Sequence, residues 1–244
     1  MSRAAKIGIS AAILLGYVLF FAVEGVIAQN SVTGQVEIAG NAAAGKRPDA
    51  ANVVVWLTPA NPQASSGTLE QRSQPQLVQR NRAFEPHVLA VQVGSLVQFP
   101  NKDHFLHNVF SLFDGKRFDL GFYESGSSKT VRFDRAGVSF LFCNIHPEMA
   151  AAVVAVPTPY FGVSDASGHV SISNVPDGNY ALHVWSEKSL PEQLKQLDKA
   201  VVISSAQRAL PTIRVTENPN FSVAHKNKYG QDYVPPSGGA YDHP

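Results

Sequence analysis

Seven consecutive residues of this chain hold three kinds of metal donor. Cys143-Asn144-Ile145-His146-Pro147-Glu148-Met149 places a thiol, an imidazole and a thioether at C-x2-H-x2-M spacing. A tight loop of this length can turn all three side chains toward one point. Cys143 is the only cysteine, and Met149 is the only methionine after Met1. Upstream, His104 and His107 each offer a second imidazole. Two imidazoles and a thiolate in a trigonal plane, with a weak axial thioether, form the blue-copper electron-transfer set. Thiolate and thioether suit Cu(I), and imidazole suits both oxidation states. A bound metal would also keep the thiol deprotonated. The pattern therefore predicts one type 1 copper held by Cys143, His146 and Met149, with His107 or the competing His104 as the second imidazole.

A rigid frame must hold such donors, and strand-like runs supply it. Val138, Phe140 and Phe142 alternate with Ser139, Leu141 and Cys143, so the cysteine ends a strand with two distinct faces. Other strand-like runs lie at 32–38, 53–57, 88–93, 96–99, 107–112, 131–133 and 151–156. Gly94-Ser95 has hairpin spacing between two of them. Residues 59–76 are polar with Pro and Gly, and read as a long loop. After Pro157-Thr158-Pro159, runs at 161–164, 169–175, 179–185, 200–203 and 212–215 form a second β-rich segment. One short helix is expected over 189–197, where Ser189 and Glu192 have capping-box spacing. Many short strands with turn signals predict an all-β sandwich architecture. The expected division is a first sandwich over 30–156, a smaller one over 157–216, and an extended or disordered polar tail over 217–244.

The segment 84–156 resembles the cupredoxins. The stretch FPNKDHFLHNV at 99–109 is similar to the approach to the first histidine ligand in plastocyanins and amicyanins. DRAGVSFLFC at 134–143 is similar to the strand leading to their cysteine ligand, and CNIHPEM matches the amicyanin-type C-x2-H-P-x-M loop. QRNRAFEPHV at 79–88 followed by that loop also resembles bacterial plastocyanin-like proteins of the methylamine utilization type. The resemblance implies a Greek-key sandwich and copper electron transfer, favours His107 over His104, and assigns Met149 the axial position. Asn144 departs from the small residue, often Ser or Thr, that follows the cysteine in this family. Residues 163–185 resemble transthyretin-like or carboxypeptidase-regulatory-like β-sandwiches, a resemblance of fold more than function. Tyr180 and Trp185 there are read as core packing rather than a binding face. His87 is read as structural or exposed, His169 and His183 as strand residues of that module, and His225 and His243 as tail residues.

The opening residues look like an export signal. Arg3 and Lys6 precede an apolar run over 7–23, and Val26-Ile27-Ala28 offers small residues for cleavage after Ala28. An uncleaved anchor is the alternative. The expected location is periplasmic or secreted, with no membrane contact after cleavage. The net charge is only +1, so nothing points to nucleic acid. No phosphate loop, zinc-protease or nucleophile-elbow motif occurs, and the chain is read as a non-enzyme. The expected function is electron carriage, with a redox partner docking near His146 on a patch of Pro147, Met149, Ala150, Ala151 and Ala152. Copper delivery or storage is the first alternative. A structural or glycan-binding protein with a vestigial copper site is the second.

Overall fold

The computed structural model describes residues 31–39, 48–61, 74–112, 115–222 and 224–233. The expected export signal, most of the polar loop at 59–76, and His243 lie outside the described residues. In chain order the strands are β1 (Val32–Ala39), β2 (Val54–Pro59), β3 (Val78–Arg80), β4 (Ala83–Glu85), β5 (Val88–Gln92), β6 (Leu96–Pro100), β7 (His107–Ser111), β8 (Phe118–Tyr123), β9 (Ser128–Arg132), β10 (Gly137–Phe142), β11 (Ala150–Val156), β12 (Phe161–Val163), β13 (His169–Ile172), β14 (Gly178–Trp185), β15 (Lys199–Ile203) and β16 (Ile213–Thr216). One helix, α1 (Pro191–Lys195), precedes β15. Its cap residue is Leu190 and no side chain caps it, so the expected Ser189 capping box does not form. Among the described residues, no helix is long and apolar enough to cross a membrane.

The strands stack in layers. A five-stranded sheet runs β5-β11-β10-β7-β8. On one face it packs against β6, β9 and the β3-β4 hairpin, which joins β6 through bridges at Gln76–Gln98 and Gln79–Asn101. Leu77, Val97, Phe99, Phe133, Leu141 and Val153 fill the space between them. On its other face Val88, Ala152, Val154 and Val156 meet Val54, Trp56, Phe161 and Trp185 from a second sheet, β12-β2-β14-β15. That sheet in turn covers β13-β1-β16 over a core of Val32, Val55, Leu57, Ile172, Leu182, Ile203 and Ile213. β11 explains why the layers stack this way. Its sequence AAAVVAV is apolar at every position, and Ala151 and Val153 face one core while Ala152 and Val154 face the other. Such a continuous apolar run marks a strand covered on both sides.

The pairing corrects the expected division at 156. β1 pairs with β13 and β16, and β2 pairs with β12 and β14. Residues 32–59 therefore belong with 161–216 in one sandwich, and residues 74–156 form the other, inserted between β2 and β12. The cause is burial: Val32, Val36, Val55 and Leu57 complete the core of the outer sandwich. The expected hairpin at Gly94-Ser95 is also absent. β5 lies in the five-stranded sheet while β6 pairs with β9, so the turn, with Gly94 at φ +96°, arches between layers. Tyr180 is buried in the outer core and Trp185 packs between the two sandwiches, consistent with core roles.

Described residues of 217–233 cross the five-stranded sheet beside the ligand loop. His225 stacks on Phe142 with ring centroids 4.0 Å apart, and the Tyr233 hydroxyl donates to the Cys143 carbonyl at 2.6 Å.

Candidate metal centre

β10 turns Leu141 inward, and Cys143 follows on the same face. Beyond it the chain closes a tight loop. The Met149 amide donates to the His146 carbonyl at 3.0 Å, and the Cys143 amide to the Met149 carbonyl at 3.2 Å. His107 opens β7, the neighbour of β10, so its ring arrives beside the cysteine from the adjacent strand. His107 Nδ1 lies 3.9 Å from Cys143 Sγ, and His146 Nδ1 lies 3.5 Å from it. The ligand atoms of His107, Cys143 and His146 all fall within 4.8 Å of one another. Metal bonds of about 2.0 Å to nitrogen and 2.3 Å to sulfur, set at trigonal angles, separate the donors by about 3.7 Å. The three side chains therefore fit one metal ion as they stand. Met149 is fully buried in the same cluster as Cys143. His104 is exposed and stands outside the donor group.

Burial shapes the chemistry of each donor. It pushes the Cys143 thiol above its ordinary value, against the backbone amides of Asn108, Ile145 and His146, which donate toward the sulfur and favour the thiolate. Burial also lowers both imidazoles, His146 to about 4 with help from the neighbouring His107. Both rings are thus neutral at physiological pH, and each keeps one nitrogen lone pair with which to bind a metal.

Asp103 holds His107 in that state. Its Oδ2 accepts from His107 Nε2 at 2.7 Å, so the proton sits on Nε2 and Nδ1 faces the sulfur. The same carboxylate accepts from the Asn81 amide at 2.6 Å and the Arg82 amide at 3.0 Å. Burial opposes the charge on Asp103, but those donors keep its carboxyl below the usual range. Phe105 packs against both imidazoles, with centroids 5.1 Å from His107 and 5.5 Å from His146, and Arg82 lies over its outer face. Asp103 and Phe105 escaped the sequence reading. The Asp-x3-His spacing was present, but nothing in it separates a buried partner from a surface carboxylate.

The other histidines stand apart from this group. His87 joins the two sandwiches through Glu187, with Nε2 2.6 Å from its carboxylate and Nδ1 3.1 Å from the Ala150 carbonyl. His183 stacks on Trp56 and pairs with Asp198. His169 is exposed on β13. The docking patch expected around His146 needs correction. Met149, Ala151 and Ala152 are buried, because β11 is covered on both faces. The exposed apolar groups near the two imidazoles are instead Phe105, Leu106 and Pro147.

No model of a known protein family matches the chain, and no curated protein matches it. Solved structures similar to part of it include a purple cupredoxin from Nitrosopumilus maritimus, at 23% identity over 34% of this chain and 99% of that one, with a TM-score of 0.31. The oxidized state of an amicyanin mutant is similar at 22% identity over 34% of this chain and 81% of its own, with a TM-score of 0.32. A Cu-containing nitrite reductase from Thermus scotoductus SA-01 is similar at 18% identity over 50% of this chain and 28% of its own, with a TM-score of 0.34.

Proposed function

We propose that the chain is an exported type 1 copper protein that carries single electrons, and that His107, Cys143, His146 and Met149 hold its one copper ion. The observation that carries this reading is the meeting of the Cys143 sulfur with two neutral imidazole nitrogens, at 3.5 and 3.9 Å, with Met149 fully buried in the same core cluster. Copper bound there would supply one electron by cycling between Cu(II) and Cu(I). The chain's own residues do the rest. Asp103 fixes the His107 tautomer, and β7 and β10 hold the two strand-borne donors in one register. His107, Cys143 and Met149 are sealed from solvent, which favours retention of the metal over its delivery. Four protein donors leave no position for a substrate, so the site is read as a carrier and not an enzyme. His146 is the donor with solvent access, and the electron is proposed to pass there to a redox partner. Phe105, Leu106 and Pro147 offer that partner a small apolar contact, of the kind that serves brief redox encounters under roughly 1,200 Å². Residues 1–28 are proposed to direct export to the periplasm or beyond.

The test is to add Cu(II) to the purified protein and record its visible spectrum and voltammogram. One equivalent should give an intense thiolate-to-copper band and a reversible one-electron wave, and Cys143→Ser should lose the band. A colourless wild type that binds no copper would sink the proposal. Copper that leaves on reduction would replace carriage with delivery.

A further inference from the structure

Asn144, the departure from the small residue expected after the cysteine, has a partner in the structure. Its Oδ1 accepts from the Lys228 amide at 3.0 Å. That bond is one of two hydrogen bonds between residues 224–233 and the cysteine end of the ligand loop. The Tyr233 hydroxyl donates to the Cys143 carbonyl at 2.6 Å, and the His225 ring stacks on Phe142. Lys228 Nζ reaches Asp119 at 2.8 Å. Asp119 in turn accepts from the Asn108 side chain at 2.7 Å, and the Asn108 amide donates toward the Cys143 sulfur. Three successive residues, 142 to 144, are thus held by one segment that lies far from them in sequence.

Apolar packing does not account for this arrangement. Beside the His225 stack on Phe142, a groove of about 780 Å³ remains between the segment and Phe110, Leu112, Phe140 and Phe142 on the sheet side. Tyr229, a large apolar side chain of this segment, is 70% exposed. The contacts are concentrated at the thiol end of the site and are mostly polar. Hydrogen bonds of this kind fix direction and distance, where hydrophobic contact would only cover surface.

We propose that residues 224–233 form a brace on the ligand loop, in which Tyr233 and Asn144 are positioning residues that hold the Cys143 sulfur in line with the two imidazoles. The proposal rests on the copper reading for its functional meaning, but the brace itself is testable without metal. Cys143 is the sole cysteine, so alkylation of the metal-free, full-length protein reports directly on opening of this loop. Tyr233→Phe removes only the hydroxyl, and Asn144→Ala removes the acceptor with the rest of the side-chain amide. Each should speed Cys143 alkylation about fivefold, the worth of one neutral hydrogen bond. Asn144→Asp, which keeps the acceptor, should stay near the wild-type rate. Far-ultraviolet circular dichroism checks that each variant is folded, and amide exchange at Cys143 and Asn144 gives a second readout should one of them lose stability. Wild-type alkylation and exchange in both Tyr233→Phe and Asn144→Ala would overturn the brace, whether or not copper binds. In copper-loaded protein the same two variants should shift the reduction potential, and an unshifted potential would also count against it. Failure of the wild type to bind copper would instead sink the copper reading and leave the alkylation result to decide the brace alone.

Discussion

The two sandwiches share a wall and fill their interiors differently. The outer one, built from β1, β2 and β12–β16, has a core of aliphatic side chains and two tyrosines, Tyr160 and Tyr180, packed edge to face at 5.8 Å. The inner one, built from β3–β11, buries Gln79, Asn101, Asp103, His107, Asn108, Ser111 and Ser139 as well as Cys143 and Met149. A buried polar group costs free energy unless it is bonded. Most of those in the inner sandwich are. Asn101 donates to the Phe105 and Tyr123 carbonyls and accepts from the Asp103 amide. Gln79 donates to the Tyr123 hydroxyl, which donates onward to the Phe99 carbonyl. The difference separates two ways of using an interior. Among the described residues the outer sandwich buries three hydroxyls, Thr158, Ser164 and Ser186, beside its hydrocarbon, and the inner core ends in a larger polar network around the candidate donors.

That contrast can be broken at its strongest point first. Leu182 is fully buried in the outer core, and Leu182→Ala should cost about 2–5 kcal/mol of unfolding free energy, read from urea denaturation. The copper band per folded molecule should not change. Loss of the band in folded Leu182→Ala would mean the two interiors are not independent. Asp103→Asn acts on the other side of the contrast. It removes the charge that fixes His107, and copper affinity in a chelator competition should fall about 10- to 100-fold. Unchanged affinity would reduce the polar network to mere packing.

The smallest effect lies at the join between the sandwiches. The Glu187 carboxylate raises His87 above its ordinary value, against its burial. A raised histidine stabilises the fold fully below its unfolded value of about 6.5, and that stability is lost as pH rises through the folded value. His87 is 37% exposed, so the effect should be no more than about 1 kcal/mol. Unfolding measured from pH 6 upward should show this decline in the wild type and a flatter profile in His87→Gln. An identical profile in the two proteins would leave the join without its ionic component.

The candidate donor loop could be read because it is local, while His107 lies 36 residues before Cys143. Cysteine, histidine and methionine sit within seven residues, and β10 displays its two faces by simple alternation. The strands of the outer sandwich were legible one by one, but their assignment was not. Nothing in VTGQVEIA says that β1 will pair with β13 rather than with the strands that follow it. The burial of Ala151 and Ala152 could have been seen, since a run with no polar position cannot have a wet face. The brace could not. Its contacts are made by a backbone amide, a phenol and a side-chain carbonyl, and such bonds leave no hydrophobic period behind.

The insertion of one sandwich into the other has a consequence for how the chain acquires its shape. Val32 must wait for Ile172, and Val36 for Ile213, before β1 has neighbours. During synthesis, the inner sandwich has all its strands once residue 156 has emerged. It can then close while β1 and β2 still carry unpaired edges. Contacts this distant in sequence are slow to form, and open strand edges invite aggregation in the meantime. The strands of the inner sandwich are thus expected to close first, the outer sandwich to set the pace of folding, and the brace at 224–233 to reach the ligand loop last.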